Sequence, residues 1–371
     1  MGTGYSTLPT NDDNDMFVAA ACKDLGTKHC TTQIFRKEPQ IRPTLHRESI
    51  NTLATVRPGI VISGSSDRNV IVHNMDTGEC VNKWSGHEKE VTKVVYKHVG
   101  GKHYVLSGSR DTNIKLWRFN NPKAVMTYHG HEMSLSGLAI IDDLCFVSGG
   151  RDSTVRLWDF ETNQPVRTQK INRNMVTHID KVPQQNLFIQ TSEDRTLRLW
   201  DVRTMSVVFQ SQPRNQILTH CDSSANSNLC LTANGGSVNE GCEVTLWDLR
   251  AQDVVKEFRG HENTVKSAIF MPQQVTWKKL VISASSDHTV RVWNLDDGSM
   301  LWKETIPTNV ELHACVGFAD GNVVVAGDEA MLCGMRLYGK AGRPFLFCNS
   351  IQSNFHHPTM MPGATSSHSI G

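Results

Sequence analysis

The chain has 371 residues, 39% of them hydrophobic, enough for one large domain or two ordinary ones. Its 38 basic and 37 acidic residues are spread along the whole length and leave a formal net charge of +1. That balance gives no electrostatic footprint for nucleic acid or an anionic membrane. No apolar run approaches the roughly 20 residues that span a bilayer, and the N-terminus lacks the basic segment and apolar core of a secretory signal.

Residues 1–31 read as a flexible tail. Its first residues, M-G-T-G-Y-S, place Gly2 and Ser6 in the acceptor pattern for N-myristoylation. One myristoyl chain binds membranes only marginally, with a constant of about 10⁴ M⁻¹. Asp12, Asp13 and Asp15 are repelled by anionic lipid, so the expectation is weak, reversible membrane association unless Cys22 or Cys30 carries a second lipid. Asp15 is placed to cap a short helix through Ala21, with Gly26 as its stop. Thr32–Lys37 then alternates like a strand.

The body of the chain repeats itself. Ser107–Trp117 reads S-G-S-R-D-T-N-I-K-L-W, and Ser148–Asp159 reads S-G-G-R-D-S-T-V-R-L-W-D. Gln190–Asp201 and Ser283–Trp293 carry further versions. Each is a β-rich run, a polar turn centred on Asp, and a second run alternating apolar with polar, which argues for a hairpin. The residues in the tryptophan slot are His73, Trp117, Trp158, Trp200, Trp247, Trp293 and Tyr338, 41 to 47 residues apart. Gly86-His87, Gly130-His131 and Gly260-His261 each precede a tryptophan by about 27 to 32 residues.

This period with G-H and W-D signatures resembles the WD40-repeat family over residues 32–349. The resemblance implies an all-β fold, a seven-bladed propeller with four strands to a blade. It further implies that His131 reaches Ser148 and Asp152 while the Trp158 indole meets Ser148. The same holds for His87, Ser107, Asp111 and Trp117, and for His261, Ser283, Asp287 and Trp293. A His–Ser–Asp set could serve nucleophilic catalysis, but three copies at repeat spacing point to a buried, satisfied polar network instead.

Other repeats depart from the pattern. The first carries His73-Asn74 where W-D belongs, and the fourth has Asn172 at the histidine slot and Gln190 at the serine slot. The fifth lengthens its hairpin through Asn234–Glu240, with Gly241 replacing the turn aspartate, which suggests a long binding loop. The seventh is the least typical, with Tyr338-Gly339 at the W-D slot. The ring's last outer strand is either Thr32–Lys37 or Pro344–Asn349; the former is favoured because only it staples the two ends together. Residues 350–371 are polar and Pro/Gly/Ser-rich and read as a disordered tail.

Ten cysteines occur without any C-x-x-C pair. Cys80, Cys145, Cys230 and Cys315 fall in apolar strand-like runs, and the spacing of His220, Cys221, Cys230 and Cys242 matches no zinc module. Reduced thiols in a cytoplasmic protein, with no metal and no cofactor, are the expectation. No phosphate-cradling loop, paired-carboxylate site or activated nucleophile stands outside the repeats, so a non-enzymatic scaffold binding proteins or peptides is expected.

The family pattern places Glu90, Thr92, Arg110, Arg151, Met175, Glu193, Lys266 and Glu311 on the upper face, where both charge signs suit a polar protein surface. Asn174–Asp201 and Asn239–Arg250 resemble one animal branch of the family, implying an accessory role in ciliary trafficking and small-GTPase regulation. Trp200–Arg203 and Trp247–Arg250 both read W-D-x-R. They resemble the box by which some propellers dock on the cullin-4 ubiquitin ligase adaptor as substrate receptors, with Arg203 and Arg250 pairing carboxylates.

Overall fold

The computed structural model describes residues 38–225, 228–272, 279–338 and 344–353, and the backbone of 18–21 and 31–34. The chain divides into two compact units, Ile41–Asn354 and the terminal segments Met1–Gln40 with Phe355–Gly371.

Alternating runs and Asp turns build seven antiparallel sheets in which sequence neighbours are also spatial neighbours. Blade 1 comprises Ile50–Arg57, Ile60–Ser65, Asn69–Asn74 and Cys80–Ser85. Blade 2 comprises Val91–Val99, Lys102–Ser109, Ile114–Arg118 and Asn121–Tyr128. Blade 3 comprises Leu135–Ile140, Cys145–Gly150, Thr154–Asp159 and Pro165–Lys170. Blade 4 comprises Val176–Val182, Leu187–Ser192, Leu197–Asp201 and Ser206–Gln210. Blade 5 comprises Leu218–Ser223, Leu229–Asn234, Val244–Asp248 and Asp253–Phe258. Blade 6 comprises Val265–Phe270, Leu280–Ser285, Thr289–Asn294 and Met300–Thr305. Blade 7 comprises Leu312–Gly317, Asn322–Gly327, Leu332–Tyr338 and Phe345–Gln352.

The first strand of each blade packs on the first strand of the next, and that of blade 7 packs on that of blade 1. Among the described residues the core therefore falls into seven apolar clusters, one between each pair of neighbouring blades. The cluster that closes the ring joins Ile50, Leu53 and Val61 of blade 1 to Phe318, Val324 and Leu332 of blade 7. Ser49 Oγ donates to Asp328 Oδ1 across the same seam at 2.8 Å. Burial falls outward: Thr289–Asn294 is buried throughout, whereas the outer strand Pro165–Lys170 is almost wholly exposed.

The turn between second and third strands explains the recurring aspartate. Thr112 and Ser153 follow it at φ of 70° and 63°, a conformation unusual for non-glycine residues. The aspartate holds them there by accepting, at 2.9 and 3.0 Å, the amides of Asn113 and Thr154. Gly130 needs its freedom for a different reason. At φ +154°, a Cβ there would lie 3.2 Å from Trp158 Cη2. Blade 1 carries the smaller His73 in that slot and accommodates Leu45-His46 in place of Gly-His.

Closure differs from the expectation. The fourth strand of blade 7 is Phe345–Gln352, from the C-terminal side, and Gln40–Arg42 adds a fifth strand outside it. Arg42 then reaches blade 1, donating to the carbonyls of Met75 at 2.8 Å and Asp76 at 2.7 Å. In the terminal unit, Thr31–Ile34 pairs instead with Val18–Ala21, a strand where a capped helix was expected. Gly2, Cys22, Cys30 and the tail beyond Ser353 lie outside the described residues.

Candidate functional site

The three intact His–Ser–Asp–Trp sets form as the repeats imply. His131 Nδ1 lies 2.8 Å from Asp152 and Nε2 lies 2.7 Å from Ser148 Oγ, which accepts the Trp158 indole N–H at 2.7 Å. His87, Ser107, Asp111 and Trp117 repeat this at 2.8, 2.7 and 2.8 Å, as do His261, Ser283, Asp287 and Trp293. The order serine, histidine, aspartate is that of a nucleophilic relay. Here the serines are fully buried and capped by an indole, so no substrate carbonyl can reach the oxygen. The sets rigidify blades.

Sequence reading missed a fourth set. His46 lies 2.9 Å from Asp67 and 2.7 Å from Ser63 Oγ, which is 2.6 Å from His73 Nε2. The available signal was spacing, since His46 precedes Asp67 by 21 residues as His131 precedes Asp152. In blade 4 the histidine's part is taken by buried Asn174, not exposed Asn172. Arg198 donates to Asn174 Oδ1 at 2.8 Å and pairs with Asp194, while Trp200 donates to Gln190 Oε1 at 2.9 Å. In blade 7, strand register puts buried Met335, not Tyr338, in the tryptophan slot: it faces Val323 as Trp293 faces Val281.

These pairings set an acid limit. Burial alone would raise Asp111, but the His87 hydrogen bond and charge outweigh it and hold the carboxyl down to about 2. Asp67, Asp152 and Asp287 are held low by His46, His131 and His261 in the same way. Folded values below an unfolded value of about 3.9 mean stability present above that pH and lost as pH falls through the folded values. The urea midpoint should already decline below about pH 6.5, where the unfolded chain protonates histidines such as His220 that burial keeps neutral in the fold. It should drop more steeply below about pH 4, as the aspartates add their loss. Asp152→Asn should flatten the drop; an unchanged acid profile would contradict the pairing.

Strand alternation divides the sequence candidates between two faces. Glu90, Arg110, Arg151, Met175, Glu193 and Glu311 lie on or beside the loops that enter each first strand and those that join second to third strands, all on one face. Arg110 pairs with Glu90 at 3.2 Å, and Arg151 of blade 3 pairs with Glu193 of blade 4 at 2.8 Å. The Met175 and Glu311 carbonyls accept the amides of Glu193 and Asp328 at 2.9 and 3.0 Å. Thr92 and Lys266 belong to a ring at the mouth of the central axis, where each first strand bulges at its second residue. Asn51, Ser136, Thr177 and Thr219 occupy this position in other blades and donate to a carbonyl of the next blade. Thr92 instead donates to Gly108 O at 3.1 Å.

The lengthened blade 5 hairpin stands on the same face. Val238 at its tip is 82% exposed at φ 51°, a strained conformation for a β-branched residue. Beside it is a cleft of about 410 Å³ lined by Gln216, Glu240, Glu243, Arg259 and His261. Arg203 and Arg250 occupy the opposite face. Their guanidiniums donate to the side-chain oxygens of Asn186 and Asn228, with shortest contacts of 2.8 and 2.7 Å.

A buried titratable cluster also went unforeseen. Lys93 of blade 2 reaches past blade 3 to hydrogen-bond His178 Nε2 of blade 4, whose ring lies 4.0 Å from that of His220 in blade 5. Burial pushes Lys93 down to about 8 and His220 down to about 3, and pushes Asp180 and Asp222 up. The repeated T-H-x-D of Thr177–Asp180 and Thr219–Asp222 was its only trace in the sequence. Of the cysteines weighed for metal binding, Cys221 lies 3.5 Å from His178 Nδ1, while Cys242 sits by the blade 5 hairpin. Cys80, expected in an apolar run, is exposed at the start of an outer strand.

Comparison with known proteins follows this architecture. A family model described as tRNA methyltransferase TRM82 WD40 domain matches residues 84–246, and one described as WD domain, G-beta repeat, matches 252–294. Pre-mRNA-processing factor 19 of Bos taurus is 32% identical over 75 residues, which is 19% of this chain and 14% of that protein. The chain thus spans a small part of that relative's length. The closed ring of seven antiparallel blades, the buried His–Ser–Asp–Trp sets and these matches together make the chain a member of the WD40-repeat family.

Proposed function

We propose that this propeller is a non-enzymatic scaffold whose partner docks on the face carrying Arg110, Arg151 and Glu193. The carrying observation is the row of exposed ion pairs across blades 2 to 4, Arg110 with Glu90 and Arg151 with Glu193. Exposed pairs contribute only about 0–1 kcal/mol, so a protein partner can redirect these charges at little cost. The resemblance of Asn174–Asp201 and Asn239–Arg250 supports ciliary trafficking factors or small-GTPase regulators as that partner, in a cytoplasmic or cilium-associated setting. Myristoylation at Gly2 would add peripheral, reversible membrane association.

Arg110→Glu with Arg151→Glu should cut partner recovery from full-length bait while leaving the melting midpoint unchanged. Undiminished recovery of every partner would remove this sector from the account.

A second reading, substrate receptor on the cullin-4 adaptor, draws on Arg203 and Arg250. Both are exposed on adjacent blades, and Asn186 and Asn228 each accept from the Nε and Nη2 of one guanidinium, which holds it in place for pairing with a carboxylate. Arg203→Ala with Arg250→Ala should abolish adaptor capture, and a wild type that never captures the adaptor ends this reading. The family model named for a tRNA methyltransferase's WD40 domain adds a methyltransferase subunit to the partners such captures should be searched for.

A further inference from the structure

We propose that Cys333 and Cys348 form a reversible disulfide that locks the ring's last strand, with a glutathione-type disulfide as oxidant. The two residues lie on neighbouring strands of blade 7, Leu332–Tyr338 and Phe345–Gln352. In that ladder Cys333 faces Ile351 and Cys348 faces Met335, so both cysteines point to the same side of the sheet. Between those pairs the outer strand bulges at Asn349, which draws the diagonal neighbours together. Their sulfurs are 3.0 Å apart, within about 1 Å of a disulfide bond length. Both pack against the apolar cluster shared by blades 6 and 7, which holds the two sulfurs beside each other.

The two thiols divide the chemistry. Cys333 is fully buried, and the Cys348 thiol beside it, together with burial, holds its thiol well above the ordinary range. Cys348 is half-buried and is the thiol an oxidant can reach. Its thiolate attacks one sulfur of oxidised glutathione, forming a mixed disulfide and expelling one glutathione thiolate. Cys333 then gives up its proton and attacks Cys348 Sγ, expelling the second glutathione. Two protein thiols are oxidised, one glutathione disulfide is reduced, and the two protons end on the two glutathione thiols.

The bond would tie the C-terminal closing strand, which also carries Gln40–Arg42 on its outer edge, to the strand inside it. Full-length protein incubated with oxidised glutathione should yield a Cys333–Cys348 linked peptide by mass spectrometry, with no glutathione left on Cys348. Its melting midpoint should rise by about 4 °C, as expected for a loop of this size in a chain of this length. Dithiothreitol should reverse both effects, and Cys348→Ser should show neither. Exposed Cys80 serves as the internal control for oxidant activity. The proposal is overturned if Cys80 is glutathionylated while Cys348 remains a free thiol. It is equally overturned if Cys348 holds glutathione without passing the bond to Cys333.

Discussion

Trp158→Ala is expected to destabilise the protein by about 3–5 kcal/mol, the cost of cutting a buried aromatic to alanine. Trp158 is fully buried, stacks on Phe146 at 6.0 Å and meets Tyr128 edge-on at 5.8 Å. Its removal opens a cavity between blades 2 and 3 and deprives Ser148 Oγ of the indole donor. The urea midpoint measures this directly. A variant unfolding with the wild type would mean that the indole is not part of a closed network.

The second large effect is expected at Arg198, which looks from its place in L-R-L-W-D like an outward strand residue. Its side chain is 3% exposed; it donates to Asn174 at 2.8 Å and Gln210 at 3.2 Å, and pairs with Asp194. Arg198→Met keeps the apolar stem but strands the Asp194 carboxylate, so a loss of about 3–5 kcal/mol is expected. Adding Asp194→Asn should recover part of that loss, which a double-mutant cycle reads as coupling. Strict additivity of the two substitutions would contradict the pairing.

Where sequence reading succeeded and failed follows from what a linear pattern can carry. Ser148, Asp152 and Trp158 are legible because the chain repeats the same residue types at nearly the same spacing in blades 2, 3 and 6, where each closes the network. His46 is hidden because Leu45 stands where the other sets have a glycine hemmed in by the tryptophan and, in blades 3 and 6, by an arginine, while blade 1 carries His73 in the tryptophan slot. Tyr338 was misplaced because an aromatic followed by glycine imitates the slot; the strand register that selects Met335 is a property of pairing. The same limit governs closure, since alternation in Thr32–Lys37 announces a strand but does not name its neighbour. The Lys93–His178–His220 cluster joins residues from three blades and needs the ring itself to become visible.

Which face holds the partner is the central claim, and hydrogen–deuterium exchange of the full-length chain with and without a captured partner tests it most directly. Slowed exchange is expected in the loops around Glu90, Arg110, Arg151 and Glu193, with the loops around Arg203 and Arg250 unchanged. Protection confined to the loops of Arg203 and Arg250 would contradict the account and transfer the binding surface to the opposite face.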